Sequence, residues 1–172
     1  MYDEIDAVIM DTLQSDGRTA NADIARRLGM APSAIHERIR KLEQRGSIRG
    51  YEAKLDPVQA GFGLLVFLFV RTNEKVGAIE AARLIARIPE VLEVHHVAGD
   101  DCYLVKLRVR DTARLSRVMR EELGEIESIT STRTTIVLET IKERSALPLR
   151  AEEKPAPRKK REARGSAPGG AR

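Results

Sequence analysis

The side chains best suited to a chemical task lie on one predicted helix, which runs from Pro32 to Gln44. Its apolar residues Ile35, Ile39 and Leu42 recur at helical spacing, so they form a single stripe that can pack against a domain. The opposite face carries hydrogen-bond donors, an acceptor and cations, namely Ser33, His36, Glu37, Arg40, Lys41 and Gln44. A helix with this chemistry can enter the major groove of DNA and contact base edges. The charge pattern alone is equally typical of a solvated amphipathic helix.

The residues around this helix favour the first alternative because they complete a DNA-binding motif. A shorter helix, Asp23 to Leu28, precedes it across Gly29, and Pro32 takes a first helical position, where its missing N–H costs nothing. Two helices joined in this way are typical of a helix-turn-helix. A helix over residues 3–15 comes before them, and residues 47–55 alternate like a small strand or wing. The pattern therefore predicts a winged helix-turn-helix DNA-binding domain over residues 1–53.

A second pattern begins after a linker at residues 54–62, which contains Asp56-Pro57. Apolar or alternating runs predict strands over residues 64–70, 91–98, 103–110 and 129–140, with helices at about 75–88 and after Asp111. Residues 63–143 thus follow the order βαββαβ, which predicts a ferredoxin-like domain and an α+β protein overall. The first strand, LLVFLFV, is apolar on both faces, so we expect helices on one side and another covering element on the other.

Charge and composition narrow the class of protein. Residues 18–54 hold nine basic and four acidic residues, a local excess that is typical of a phosphate-binding surface. A single Cys rules out a disulfide framework. The longest apolar run has seven residues, far below the roughly 20 that span a bilayer. We therefore expect a cytoplasmic, nucleoid-associated protein that contacts no membrane.

The last 29 residues differ in character from the rest. Residues 144–172 carry nine Lys/Arg against three Asp/Glu, whereas residues 1–143 carry 21 against 23. This Pro/Gly/Ala-rich segment has no periodic apolar positions, so we expect a disordered basic tail. Its cluster Arg158-Lys159-Lys160-Arg161 can bind nucleic acid non-specifically or act only as a solvating tail.

Residues capable of catalysis or metal binding do not form a recognisable set. His95 and His96 are neighbours on a predicted strand, so they point to opposite faces and cannot chelate one metal within a subunit. Cys102 has no sequence neighbour that would activate its thiol. The sequence contains no glycine-rich phosphate loop, CxxC pair or Ser/His/Asp order. We predict no catalytic residue, no metal and no cofactor.

Four blocks of the sequence resemble the Lrp/AsnC (feast/famine) family of transcription regulators. The blocks cover roughly residues 2–143 and read DEIDAVIMDTLQSDGR, ADIARRLGMAPSAIHERIRKLEQRGSIRGYEAKLDP, IPEVLEVHHVAGDDCYLVKLRVRD and TSTRTTIVLETIK. The resemblance implies a sequence-specific DNA-binding regulator whose second domain, of the RAM/AsnC type, binds an effector and oligomerises. It also implies an amino acid or related metabolite as effector, and homodimers that pair through their sheets and often associate into octamers.

The resemblance further implies roles for particular residues. The implied DNA-binding positions are Arg18, Arg26, Arg27, Ser33, His36, Glu37, Arg38, Arg40, Lys41 and Arg49. Arg38 lies nearer the packed side of its helix, so a phosphate contact or a structural role suits it better than base readout. The effector loop of the family, Gly-Asp-x-Asp-Tyr/Phe, corresponds to Gly99, Asp100, Asp101, Cys102 and Tyr103, with Thr132 and Thr134 available to complete the pocket.

Some residues depart from the family pattern. Ala20 and Ala31 stand where a capping Ser is usual, which weakens each helix start by ~1 kcal/mol, although Asn21 can cap one residue later. Cys102 replaces the second acidic residue of the effector loop, and Ser128 replaces a glycine. The effector can therefore differ from that of relatives, bind weakly or be absent.

Two other functions remain open at this level. The sirohaem decarboxylases use a similar two-domain architecture to bind a tetrapyrrole, and His95 or His96 can serve such a substrate. An architectural protein that coats DNA as an octamer, with little sequence preference, is the other alternative. The DNA-compatible side chains of the helix 32–44 favour a regulator over the enzyme.

Overall fold

The computed structural model describes residues 2–149 and divides them into two compact units. One unit comprises residues 2–52 together with residues 144–149, which the sequence assigned to the tail. The other unit comprises Ala53–Glu143. Residues 150–172, including the cluster Arg158-Lys159-Lys160-Arg161, lie outside the described residues, so the predicted disorder there stays a prediction.

Three helices build the N-terminal unit: α1 (Glu4–Ser15), α2 (Asn21–Leu28) and α3 (Pro32–Gln44). Their apolar faces meet in one core, in which Ile9, Ile24 and Ile35 are almost completely buried. Gly29 ends α2 with φ at 66°, a left-handed conformation that side chains with a Cβ disfavour, and the chain then turns into α3. This arrangement confirms the predicted helix-turn-helix.

The helix N-termini are capped in different ways. At α1 the Asp3 carboxylate accepts from the Asp6 amide at 2.8 Å, and the Asp6 carboxylate accepts from the Asp3 amide at 3.3 Å. Ala20 and Ala31 are the N-caps of α2 and α3, and neither offers a side-chain hydrogen bond. Asn21 lies within α2, so the prediction that it caps this helix is wrong. Packing of the buried stripe must therefore hold α2 and α3 in place.

The predicted wing does not form a strand. Residues 47–55 have no regular structure, because the described part of the N-terminal unit contains no strand that could take their hydrogen bonds. Side chains hold this segment instead. Ile48 packs against the helical core, and the Tyr51 hydroxyl donates to the Glu43 carboxylate at 3.0 Å.

The C-terminal unit is an antiparallel sheet with helices on one face. Its strands are β1 (Leu64–Thr72), β2 (Val91–His96), β3 (Tyr103–Val109) and β4 (Ile129–Ile136), in the order β2-β3-β1-β4. The helices are α4 (Glu80–Ile85) and α5 (Thr112–Arg117), and α5 continues as a π-helix over Val118–Leu123. This topology confirms the predicted ferredoxin-like α+β fold.

The two faces of the sheet are covered unequally. On the helix-covered face, Val66, Leu68 and Val70 of β1 are completely buried together with their neighbours on β3. On the opposite face, which we call the open face, Phe67 and Phe69 are only half-buried. The expectation of helices on one side of β1 is therefore correct, and within one chain the second side stays partly uncovered.

Charged side chains lie across the open face beside these rings. Glu143 follows β4 and accepts hydrogen bonds from Lys106 at 2.5 Å and Arg108 at 2.7 Å, both on β3. Lys106 also contacts Glu93 of β2 at 3.0 Å. These two cations, Lys106 first, hold the pKa of the Glu143 carboxyl below its usual range. The segment after β4 thus crosses back over the sheet.

Two predicted elements are much shorter than expected. The predicted helix 75–88 is confined to Glu80–Ile85. It starts late because Gly77 adopts φ 87° in the preceding turn, and a helix cannot pass through that conformation. The predicted strand 129–140 ends at Ile136, because Ile136 already pairs with Val66 and β1 offers only two residues beyond that point.

Candidate nucleic-acid interface and ligand loop

Helix α3 presents a polar face to solvent in the N-terminal unit. Ile35, Ile39 and Leu42 are buried, which fixes the rotation of the helix about its axis. The side chains on the other face are exposed, except that Glu37 is partly covered: Ser33, His36, Glu37, Arg40, Lys41 and Gln44. The helix therefore offers donors, cations and one carboxylate on a surface about 20 Å long, given a rise of 1.5 Å per residue.

Arg40 and Glu37 form a two-point ion pair on this face. The guanidinium donates through Nε to Glu37 Oε2 and through a terminal nitrogen to Glu37 Oε1, each at 3.1 Å. This contact, aided by Lys41 at 3.6 Å, lowers the pKa of the Glu37 carboxyl. Both side chains are solvent-exposed, and exposed pairs of this type contribute only about 0.2–1 kcal/mol. A guanine edge or a phosphate can therefore compete for Arg40.

Arg38 serves the packing of the unit rather than its polar face. One terminal nitrogen of its guanidinium lies 2.8 Å from Asp3 Oδ2 and 2.7 Å from Asp6 Oδ1, so it joins α3 to the start of α1. The hydrogen bonds that Arg38 donates, the one to Asp3 first, raise the pKa of Arg38. The geometry supports the structural role that the sequence favoured over base readout.

We expect Arg38→Ala to destabilise the N-terminal unit. The change leaves the Asp6 carboxylate, whose side chain is 11% exposed, without its cation. An unpaired buried acceptor of this kind costs about 1–3 kcal/mol, which urea unfolding measures as a lower midpoint. Arg27→Ala is the matched control, because Arg27 is exposed and its contact with Thr12 is long, at 3.4 Å. If Arg38→Ala and Arg27→Ala unfold at the same urea concentration, Arg38 does not stabilise the unit.

The remaining basic candidates are exposed on the same unit. Arg26 and Arg27 both lie on α2 and make weak surface contacts. Arg26 pairs with Asp23 at 3.0 Å, and Arg27 reaches the Thr12 hydroxyl. Arg18 lies in the turn between α1 and α2, and Arg49 lies in the segment that the sequence predicted as a wing. Exposed cations of this type can move to phosphate groups at little cost.

The candidate ligand loop, residues 99–103, lies between β2 and β3 in the C-terminal unit and includes the first residue of β3. Gly99 has φ 142°, and the Cys102 amide donates to the Val70 carbonyl at 2.9 Å, which fixes the loop against the end of β1. The Arg71 Nε atom donates to the Asp100 carbonyl at 3.0 Å. The Cys102 thiol is half-buried, 3.9 Å from the Thr72 carbonyl.

The register of the sheet brings Thr132 into line with this loop. Val70 is opposite both Tyr103 of β3 and Thr132 of β4, so these three residues form one row on the helix-covered face. Thr134 lies one row further along, opposite Leu68. Val70 and Tyr103 are almost completely buried in this row, whereas Thr132 is half-buried and Thr134 is exposed.

Two contacts near the loop escaped the sequence reasoning. Arg133 lies on the open face, with its guanidinium carbon 4.0 Å from the Phe69 ring centre and a terminal nitrogen 3.0 Å from Asp101 Oδ2. Glu74 accepts from the Tyr103 hydroxyl at 3.0 Å and from the Ala81 amide at 2.8 Å. Burial, followed by this contact with Glu74, raises the pKa of Tyr103. For Arg133, the sequence offered one signal: the alternation of strand 129–136 places Arg133 on the face opposite to Thr132. For Glu74 it offered none.

The two histidines have separate surroundings. His95 is opposite Leu104 and lies 3.0 Å from Glu93, whereas His96 is opposite Tyr103 and its ring centre lies 5.3 Å from that ring. Leu104 and Tyr103 alternate along β3, so the prediction that His95 and His96 occupy opposite faces is confirmed. Among residues 2–149, no three His, Cys, Asp or Glu side chains converge as a metal site.

Comparison with known proteins agrees with both units. The AsnC-type helix-turn-helix domain matches residues 3–43, and the Lrp/AsnC ligand binding domain matches residues 65–147. The transcriptional regulator FL11 of Pyrococcus horikoshii is 38% identical over 149 residues, which cover 86% of this chain and 97% of that relative. The chain belongs to the Lrp/AsnC family of transcription regulators. Among other members, the leucine-responsive regulatory protein of Escherichia coli K12 is 35% identical, over 84% of this chain and 90% of its own.

Solved structures of Lrp/AsnC regulators share the whole described architecture. A Neisseria meningitidis transcriptional regulator, NMB0573, was solved as an L-Met complex and superposes with a TM-score of 0.78 at 29% identity. The superposition covers 87% of this chain and 97% of that one. Within the described residues of this regulator, no helix is long and apolar enough to cross a membrane.

Proposed function

We propose that this Lrp/AsnC regulator recognises its operator through the exposed face of α3. The observation that carries the proposal is the split of α3 into a buried stripe, Ile35, Ile39 and Leu42, and an exposed face of donors and cations. Arg40 and His36 lie on that face, where a major-groove helix contacts base edges, and Ser33 and Lys41 flank them. Arg18, Arg26, Arg27 and Arg49 are our proposed phosphate contacts, and Arg38 positions the helix.

Glu37 has a specific part in this proposal. Its carboxylate holds Arg40 at two points before DNA arrives, so the guanidinium is ordered at the surface. An ordered guanidinium loses less side-chain entropy when it forms its two hydrogen bonds to guanine O6 and N7. Alternatively, Glu37 itself accepts from cytosine N4 once Arg40 has moved to a base or a phosphate. Both routes make the Glu37–Arg40 pair the centre of base readout.

We propose that the effector binds at the loop 99–103, close to Thr132 and Thr134, and is an amino acid or a related small metabolite. Support comes from the row that joins Tyr103, Val70 and Thr132, and from the L-Met complex of the Neisseria relative. Cys102 gives this loop one carboxylate less than the family pattern, and Arg133 already engages Asp101. Binding of the ligand ammonium therefore depends on Asp100, or on Asp101 after Arg133 has been displaced.

A thermal-shift screen with the twenty amino acids tests the effector proposal. A ligand that binds only the folded state stabilises it by mass action, by about 2.7 kcal/mol when the ligand concentration is 100 times its Kd. The melting temperature rises as a result. We expect at least one amino acid to produce such a shift, and the double change of Asp100→Asn with Asp101→Asn to abolish it. Asp111→Asn is the control, since Asp111 caps α5 away from the loop. Equal shifts in both variants would place the effector elsewhere.

We further propose that two chains pair through their open faces. Phe67 and Phe69 are half-exposed there, and the segment that crosses the sheet exposes 98% of Leu138 and 85% of Ile141. A second copy would cover these residues and would set two α3 helices at a fixed separation. We place such a dimer, or an octamer built from it, on the nucleoid in the cytoplasm, where it acts by binding and not by catalysis.

The experiment that tests the proposed function is a competition between two duplexes. A fluorescent fragment from the region upstream of the protein's own gene is titrated with protein at about 100–200 mM salt, beside a shuffled duplex of equal length and composition. We expect affinities that differ by roughly 1,000-fold or more, as for specific DNA-binding proteins. Equal affinity for both duplexes would instead support the architectural DNA-coating alternative.

A further inference from the structure

Tyr51 joins two parts of the N-terminal unit that are far apart in sequence. Its hydroxyl donates to Glu43 Oε1, near the end of α3, at 3.0 Å. Its ring lies against Gly17, in the turn between α1 and α2, where an added Cβ would be only 3.3 Å from the ring Cδ1 atom. Burial, followed by the contact with Glu43, raises the pKa of Tyr51, so the hydroxyl stays a donor. Tyr51 is therefore held at both its ring and its hydroxyl.

The Tyr51 hydroxyl lies on the side of α3 that is proposed to contact DNA. His36, Arg40 and Glu43 follow one another at spacings of four and three residues, so they share one side of the helix. Together with Tyr51 they form part of the wall of a cavity of about 250 Å³. His36 and Arg40 are proposed base contacts, so a duplex bound to α3 would pass close to Tyr51.

Arg49, a proposed phosphate contact, lies between two fixed points of the chain. Ile48, before it, packs against the helical core, and Tyr51, after it, is held by α3 and by the turn before α2. Gly50 separates Arg49 from Tyr51, and a glycine leaves the backbone free to rotate. No strand in the described part of this unit pairs with the segment, so side-chain contacts fix its course. Release of Tyr51 would free the chain directly after Arg49.

We propose that Tyr51 is a positioning residue for DNA binding, which holds Arg49 where it contacts a phosphate group of the duplex. The proposal rests on the proposed phosphate contact of Arg49. The hydrogen bond between Tyr51 and Glu43 orders the backbone around Arg49 before DNA arrives, so less conformational entropy is lost when the contact forms. Tyr51 acts through Arg49 and not on the DNA itself, so its effect should vanish when Arg49 is removed.

Two pairs of full-length variants isolate the hydrogen bond between Tyr51 and Glu43. Tyr51→Phe keeps the ring against Gly17 and removes only the hydroxyl, and Tyr2→Phe is its matched control, because Tyr2 is also about half-exposed in the same unit. Glu43→Ala and Glu43→Gln remove the same charge, but only Glu43→Gln retains a side-chain oxygen that accepts from the hydroxyl. Arg49→Gln, alone and combined with Tyr51→Phe, tests whether Tyr51 acts through Arg49.

The measurement is the affinity for the operator duplex and for a shuffled duplex over a range of salt concentrations. We expect Tyr51→Phe to weaken binding to both duplexes by roughly 2- to 10-fold, the effect of one ordinary hydrogen bond, and Tyr2→Phe to bind as the wild type does. Glu43→Ala should bind more weakly than Glu43→Gln by a similar factor. Arg49→Gln should reduce the slope of log affinity against log salt by about 0.9, and addition of Tyr51→Phe should then cause no further loss of affinity.

Wild-type affinity in Tyr51→Phe, or a full additional loss when this change is added to Arg49→Gln, would overturn the proposal. An unchanged salt slope in Arg49→Gln would overturn it as well, because Arg49 would then contact no phosphate. If Tyr51→Phe melts below the assay temperature, the Glu43 variants decide, and equal affinities of Glu43→Ala and Glu43→Gln would contradict the role of the hydrogen bond. Failure of the wild-type protein to prefer the operator over the shuffled duplex would instead overturn the proposed function.

Discussion

Arg40→Ala should reduce the discrimination between the operator and a shuffled duplex. One bidentate contact to guanine contributes about 1–3 kcal/mol, so the ratio of the two affinities should fall by roughly 5- to 150-fold. Stability should change little, because Arg40 is 55% exposed and its pair with Glu37 lies on the surface. Competitive anisotropy with both duplexes measures the ratio, and urea unfolding measures the stability.

The control for this change is Arg120→Ala, which removes an exposed arginine from the C-terminal unit. It should leave the ratio of affinities unchanged. A reduced affinity for both duplexes in Arg40→Ala, with the ratio preserved, would assign Arg40 to phosphate binding. In that case base readout would have to come from Ser33, His36 or Glu37.

The combined change of Leu138→Asp and Ile141→Asp should separate the proposed dimer into monomers. An open face paired with a second copy would bury both positions, and a carboxylate buried there without a partner costs several kcal/mol, which corresponds to more than about 100-fold in the dimer dissociation constant. The affinity for an operator with two half-sites should fall when the dimer dissociates. Two separate monomers must then bind the half-sites independently, without the gain that linkage provides. Sedimentation velocity at micromolar protein measures the first effect.

Val76→Asp is the matched control for the dimer, because Val76 is a fully exposed apolar residue in the loop between β1 and α4. This variant should sediment as the wild type does. If the combined variant also sediments as the wild type, the open face is not the dimer interface, and the exposure of Leu138 and Ile141 would need another partner.

Sequence reasoning could predict the elements that local signals define. Helix α3 begins at Pro32 and ends at Gln44, as expected from a proline at its first position and the glycine that follows. The helix-turn-helix and the order of strands followed from hydrophobic periodicity, which depends only on neighbouring residues. The strand alternation even assigned His95 and His96 to opposite faces before the register was known.

Other features depend on residues that are far apart in sequence. Arg38 is held by Asp3 and Asp6, 35 and 32 residues away, and Arg133 is held by Asp101 across the sheet. No local pattern encodes such pairs, because they arise only when packing and strand register are set. The prediction of a strand at residues 47–55 was wrong for a related reason. Alternation indicates that a segment suits a strand, but a strand also needs a neighbouring strand to take its backbone hydrogen bonds. The assignment of residues 99–103 as the candidate ligand loop stays a prediction, and it came from family resemblance and not from any chemistry of these five residues.

The most direct test of the central claim, that the polar face of α3 reads duplex DNA from a paired assembly, is a footprint on the upstream fragment. At modest ionic strength we predict protected segments whose centres are one helical turn apart, about 10–10.5 base pairs, or a multiple of it. The footprint should disappear with Arg40→Ala at the same protein concentration. Uniform protection of unrelated DNA, or no protection from a protein that sediments as a monomer, would contradict the claim.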